Sequence, residues 1–176
     1  DEILDFATSS LAFPIKRPSS LSGGEATSES GWAHALSSIE EAEHTKYFFA
    51  LQPTSPIRDG KDFDSAFSSC ESNSCDSMFS AEVVKDHYIW SSMHHGLAPD
   101  NFVYKERAMR QSLADKYLEN GSFYLLNIKQ FMASGIRHFG KIGVYPMPRY
   151  KSVQIDNPED VLITEALMEK FEGFDF

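Results

Sequence analysis

Four apolar residues running into two prolines constrain this chain more than any other stretch. Tyr47-Phe48-Phe49-Ala50 reads as a buried strand, and Leu51-Gln52-Pro53-Thr54-Ser55-Pro56-Ile57-Arg58 follows it directly. Proline fixes φ and has no N–H, so neither a helix nor a central strand can continue through Pro53 and Pro56. The strand therefore ends in a stiff loop that presents the Gln52 amide, the Thr54 and Ser55 hydroxyls and the Arg58 guanidinium. In open α/β sheets, ligands bind beyond the carboxyl ends of the strands. The loop is thus a candidate binding site through Gln52, Ser55 and Arg58, or an ordinary strand-to-helix connection.

The rest of the chain alternates helical and strand-like patterns. A helix is expected over Asp1 to Ser9, a short strand-like element at Phe13-Pro14-Ile15, and a Ser/Gly loop from Ser19 to Ser28. Trp32, Ala35, Leu36 and Ile39 recur at helical spacing and predict an amphipathic helix over 28–43. A strand is expected at 46–51, a helix at 60–70 through Phe63, Ala66 and Phe67, and strands at 78–84, 121–126, 141–145 and 152–155. Asn127 should cap a helix through Phe131 and Met132. A last helix should start with Asn157 as cap and Pro158 at its first position, with Ile163, Ala166, Leu167 and Phe171 as its apolar face. This order implies one α/β domain over 1–176, with a mostly parallel sheet flanked by helices. The stretch at 85–117 has no sustained period and is rich in His, Tyr, Trp, Arg and Met, the mark of a functional or interfacial insertion.

A net charge of −10 argues against a nucleic-acid or anionic-membrane surface, though a few local cations can still hold a small anion. No apolar run approaches a membrane span, and the acidic start Asp1-Glu2-Ile3-Leu4-Asp5 leads us to expect no secretory leader and a cytoplasmic setting. Cys70 and Cys75 are read as free thiols, since no second pair accompanies them.

Several polar residues could carry chemistry. Asp156 lies between the last expected strand and the Asn157 cap. Its carboxylate could hold Mg²⁺, which takes one or two carboxylates plus phosphate oxygens, or could close a local turn. Arg17, Arg58 and Arg110 could clamp an anion in two-point geometry, or could be surface arginines. Gly121 after Asn120 either permits a close backbone approach or a bulge, or ends a turn. His94-His95 has no carboxylate or cysteine at ligand spacing, so a metal is not expected there.

Taken together, these segments resemble the acylneuraminate cytidylyltransferase family, the CMP-sialic acid and CMP-nonulosonate synthetases. The resemblance rests on Lys16-Arg17-Pro18, Glu25-Ala26-Thr27, the proline loop, and Arg110-Gln111-Ser112-Leu113 with Tyr117. It continues through Glu119-Asn120-Gly121-Ser122-Phe123-Tyr124, Gly140-Lys141-Ile142-Gly143 and Gln154-Ile155-Asp156-Asn157-Pro158-Glu159-Asp160. It implies a Rossmann-like nucleotide-diphospho-sugar transferase fold with 85–117 as a dimerisation arm. The implied reaction joins CMP from CTP to a nine-carbon acid sugar and releases pyrophosphate, with Mg²⁺ as cofactor. By matching positions, Asp156 would hold the metal and Arg17 would lie near the nucleotide. Ala26 and Ser28 would contact the cytosine through backbone groups. Gln52 would bind the acid sugar, with Ser55, Arg58, Asn120 and Gly121 in the same substrate site. Arg110 and Gln111 would reach a partner's pocket across a homodimer.

Two departures qualify the resemblance. The family's usual second aspartate, two positions before Asp156, is Gln154 here. The family also opens with an Arg-x-Gly-Ser-Lys loop that cradles the triphosphate, and nothing of that kind occurs. The chain is therefore expected to be an N-terminally incomplete cytidylyltransferase and a poor catalyst as it stands. The alternative is an inactive homologue that binds nucleotide or sugar acid, or that serves as a dimerising subunit.

Overall fold

A computed structural model describes residues 2–106 and 108–171. Asp1, the expected start of the first helix, lies outside them. The elements are α1 (Glu2–Ser9), α2 (Ser28–Ser37), β1 (Tyr47–Leu51), α3 (Gly60–Ser72), β2 (Ser77–Val84), β3 (Trp90–Met93) and β4 (Gly96–Pro99). They continue with β5 (Lys116–Asn127), α4 (Ile128–Ser134), β6 (Ile142–Met147) and α5 (Pro158–Phe171). Four strands form one sheet in the order β1-β5-β2-β6, and β3 and β4 form a separate hairpin. The sheet is mixed: β1 runs antiparallel to β5, with Tyr47 opposite Asn127 and Leu51 opposite Phe123. Among the described residues, no helix is long and apolar enough to cross a membrane.

The chain divides into two compact units. The first runs from α1 to Leu51 and includes Gly60–Phe79 and Phe123–Gly143. Its core follows from the two-residue period of β1 and β5. On one face Phe49 and Phe123 meet Phe63 of α3, with ring centroids 5.0–5.6 Å apart. On the other face Phe48 and Tyr124 meet Phe131 of α4 and Trp32 of α2. Fully burying a side chain such as Phe123 contributes about 2–3 kcal/mol. Arg137 seals this second face. Its Nε bonds Glu29 at 2.5 Å, its Nη1 donates to the Tyr124 hydroxyl at 3.0 Å, and its plane lies over Trp32. The hydrogen bond from Arg137 holds Glu29 below the usual carboxylate range and raises the arginine in turn.

Helix ends in this unit follow side-chain chemistry. Asn127 caps α4 by accepting from the Gln130 N–H, and Gly135 ends it at φ +68°. The helix expected over 28–43 instead stops at Ser37, and a short 3-10 turn covers Glu40–His44. The Ser37 and Ser38 hydroxyls bond back to the Ala33 and His34 carbonyls. Glu40, Glu41 and Glu43 would sit at the negative end of a longer helix, and the new turn places them at a positive end. Phe13-Pro14-Ile15 is irregular and not a strand. Cys70 and Cys75 are free and buried, and burial pushes the Cys70 thiol up to about 11.

The second unit comprises Gln52–Asp59, Ser80–Ser122 and the chain from Val144 onward. The stretch at 85–117 holds more order than its composition predicts. Trp90 pairs with Pro99 and Met93 with Gly96 in a hairpin closed by His94-His95. Tyr88 and Trp90 pack edge-on against Phe102. The strand expected at 152–155 is absent; a 3-10 turn at Arg149–Lys151 leads into irregular chain. Its link to the proline loop is the Ile155 N–H donating to the Thr54 carbonyl at 2.8 Å. Beside it lie Pro53 and Pro56, which have no N–H to extend a ladder. The inward stripe of α5 is also shifted. Thr164 is buried while Ile163 is 51% exposed, so the stripe runs through Asp160, Thr164, Leu167 and Phe171.

Candidate functional site

Within the second unit, the proline loop is held from inside. The Ser55 N–H bonds the Gln52 carbonyl at 3.3 Å and closes a turn. The Arg58 guanidinium then folds under that turn. Its Nη1 donates to the carbonyls of Gln52 (3.2 Å), Ser55 (2.5 Å) and Ser122 (2.9 Å). A fork of fixed N–H donors suits this multiple bracing. Burial lowers the arginine's pKa. The contacts that the structure gives Arg58 are therefore to main-chain carbonyls of the loop and of β5, as a brace between the two.

The loop abuts the start of the buried part of β5. The Ser55 hydroxyl, itself buried, donates to the Asn120 carbonyl at 2.9 Å. Gly121 has φ +67°, so β5 bends through it, and the strand begins at Lys116 and not at Gly121. A Cβ at Gly121 would collide with Gln52 Oε1 and come within 3.3 Å of Ser55 Oγ. The absence of a side chain is what lets the Gln52 amide lie flat against the strand. Gln52, Ser55, Arg58, Asn120 and Gly121 are thus one cluster.

Asp156 joins this neighbourhood through its chain neighbour, since Ile155 is bonded to Thr54 in the proline loop. The N-terminus of α5 is closed by Asp160, where Asn157 is the expected cap. The Asp160 Oδ2 accepts from the N–H groups of Asp156 (2.9 Å) and Asn157 (2.8 Å). Those bonds, Asn157 first, hold Asp160 below the usual carboxylate range. Asp156 itself is exposed, and among the described residues no donor engages its carboxylate. Also among the described residues, no group of three or more His, Cys, Asp or Glu could hold a metal. A single carboxylate fits Mg²⁺ only in the manner of a nucleotide site, where phosphate oxygens and water complete the shell.

In the first unit, Arg17, Ala26 and Ser28 come together at the N-terminus of α2. Thr27 is the cap and accepts from the Ser30 N–H at 3.2 Å. The Arg17 guanidinium lies over the first turn, 3.3 Å from where a Cβ on Gly31 would sit. The positive end of the helix dipole and the Arg17 guanidinium thus lie together, with Glu29 of the same turn paired to Arg137. Arg110 and Gln111 stand apart on the arm, in a 3-10 turn. Arg110 pairs with Asp86 at 3.5 Å, and the Gln111 amide contacts the Met109 sulfur.

Sequence reasoning does not reach the Ser80, Ser122 and Ser152 contacts around Asn120, nor the Lys151–Asp59 pair at 2.8 Å. Ser80 carries the one available signal, a hydroxyl inside the apolar run of β2.

No family model matches the chain. Among solved structures it is similar to a 4-diphosphocytidyl-2C-methyl-D-erythritol synthase from Anaerococcus prevotii. The superposition has a TM-score of 0.62 and covers 96% of this chain and 74% of that one, at 12% identity. The two share a fold. It is a mixed α/β architecture with a helix-flanked sheet. At that identity the likeness carries the architecture, and the residues of the site must carry the chemistry.

Proposed function

We propose that the protein is a cytidylyltransferase that transfers CMP from CTP to a nonulosonic, sialic-type acid sugar and releases pyrophosphate. The observation that carries this reading is the Gln52 side chain lying against Gly121 on a loop braced by Arg58, with Asp156 next to Ile155, whose N–H is bonded to the same loop. A cytidine-handling enzyme of the same fold supports it. In the reaction, the sugar's anomeric oxygen bonds to the α-phosphorus while the bond from that phosphorus to the bridging oxygen breaks. Gln52 orients the acid sugar with an amide that both donates and accepts. Arg17 and the first turn of α2, with Ala26 and Ser28, hold the nucleotide. Asp156 would hold Mg²⁺, which would supply Lewis-acid stabilisation of the phosphates.

The test is pyrophosphate release from CTP by the full-length protein with sialic, legionaminic and pseudaminic acids in turn. One of them is expected to support turnover. Gln52→Ala should then raise the KM for that sugar by roughly 5- to 150-fold, as expected when about 1–3 kcal/mol of polar pairing is lost. The KM for CTP should stay constant. Release with none of the sugars sinks the reading, and binding without release supports a homologue that does not turn over. A shift confined to CTP reassigns Gln52.

The arm belongs to the same reading. Leu97 is 68% and Met109 72% exposed, alongside exposed Trp90, Met93 and Tyr104. Aromatic and Met residues are enriched at interfaces, and a two-fold dimer covers such an arm most simply. We infer a homodimer in which Arg110 serves the partner's site. Sedimentation should show a dimer at micromolar concentration and a monomer for Leu97→Asp/Met109→Asp. A monomeric parent, or a variant that still dimerises, removes the interface.

A further inference from the structure

Asn120 lies at the centre of the site, yet its side chain is fully engaged inside the protein. It is 2% exposed. Its Oδ1 accepts from the Ser80 hydroxyl at 2.7 Å and from the Ser122 N–H at 3.2 Å. Its Nδ2 donates to the Ser152 hydroxyl at 3.1 Å and to the Met147 sulfur at 3.5 Å. The orientation of the amide is fixed twice over. A backbone N–H can only donate, and a thioether sulfur can only accept. An amide has two acceptor sites and two donor hydrogens, and all four are used, which leaves no capacity for a substrate. The Asn120 main-chain carbonyl adds a fifth contact, from the Ser55 hydroxyl.

These partners sit at particular places in the chain. Ser55 is three residues beyond Gln52, and Ser152 is four residues before Asp156. The two segments also meet directly through Ile155 and Thr54. One buried residue thus joins the two segments: its main-chain carbonyl accepts from Ser55 in the segment of Gln52, and its side-chain amide donates to Ser152 in the segment of Asp156. Ser80 and Met147, on β2 and β6, anchor it to the sheet.

We propose that Asn120, with Ser80 and Ser152, is a positioning clamp for cytidylyl transfer and not a substrate ligand. It sets the register between Gln52 and Asp156. The proposal rests on the reading that these two residues serve the sugar and the metal. Its chemical logic is that a misplacement of about 1 Å, from a change away from the reacting atoms, can lower a rate by about 100-fold.

Two variants test it, Asn120→Asp and Ser152→Ala. Asn120→Asp keeps the shape but removes both donors. Ser152→Ala removes one hydroxyl from a half-buried site and stays informative if the first variant fails to fold. In Ser152→Ala, kcat for pyrophosphate release should fall about tenfold, within that range. The KM values for CTP and for the acid sugar should each stay within about twofold, as for an interaction that acts only on the transition state. A raised sugar KM with kcat retained would make Asn120 a ligand and overturn the clamp. Unchanged kinetics would leave a merely structural amide and overturn it equally. Amide hydrogen exchange at Ile155 gives a readout that needs no turnover. The clamp expects faster exchange there in Ser152→Ala, without faster exchange in the Phe123–Leu126 core of β5. Ordinary exchange at Ile155 sinks the clamp. Absent turnover with altered exchange sinks only the functional reading.

Discussion

Asp156→Asn is expected to lower turnover at least about 100-fold, a barrier increase of about 2.7 kcal/mol or more. The expectation follows from what surrounds this residue. Asp160 already accepts the two N–H groups that open α5, so the Asp156 carboxylate is not needed as a cap. It stands exposed at the end of a segment that Ile155 pins to the proline loop. Gln154, two positions before it, carries no charge, and the Asp160 carboxylate is engaged by the Asp156 and Asn157 N–H groups. Asn keeps the size and loses the charge, which removes the anionic ligand a hard divalent cation needs. Stability should change little, because an exposed carboxylate without a protein donor contributes little to the fold. The measurement is kcat for pyrophosphate release across a Mg²⁺ titration. Near-normal turnover at saturating Mg²⁺ would remove Asp156 from the metal site.

The parts of this protein that were legible in the sequence are those whose cause is local. Pro53 and Pro56 end β1 by covalent geometry. Asn127 starts α4 by its own hydrogen bonding. The failures are long-range or competitive. Ile163 and Ala166 looked inward because they are apolar, but the inner stripe of α5 is shared by Asp160, Thr164, Leu167 and Phe171. Such rotations cost little in a helix whose apolar residues lie on several sides. Residues 152–155 have strand composition, but the proline loop they meet cannot return a ladder. The hairpin at 90–99 pairs Trp90-Ser91-Ser92-Met93 with Gly96-Leu97-Ala98-Pro99, which lacks the alternation that signals a half-buried strand. The site residues divide in the same way. Gln52, Ser55, Arg58, Asn120, Gly121 and Asp156 could be picked from the resemblance, and the structure draws the first five into one cluster with Asp156 tied to it. What each side chain does there depends on partners far along the chain. Arg58 meets Ser122 across 64 positions, Ser55 meets Asn120 across 65, and Ser80 meets Asn120 across 40. No local pattern encodes such pairings.

Gly121→Ala should be the most damaging small change outside the reacting groups, and most of its effect should fall on function. At φ +67° an L-residue carries a backbone penalty of roughly 1–2 kcal/mol. That lowers stability but leaves a well-cored chain folded. The new methyl would also occupy the space of Gln52 Oε1 and crowd Ser55 Oγ. Ser55 is buried and bonded to Asn120, so it cannot yield. The Gln52 amide is the free end of a side chain and can yield, so it should swing away from β5 into the space the acid sugar needs. We expect sugar-dependent turnover to fall about 100-fold, the scale of an ångström-sized misplacement. CTP binding by the intact chain, measured by calorimetry, should be unchanged. A double-mutant cycle separates this cause from general destabilisation. In Gln52→Ala the obstructing amide is already gone, so adding Gly121→Ala should cost little further activity, whereas independent effects would multiply. A double variant with the full product of both losses would show that Gly121 acts through something other than Gln52.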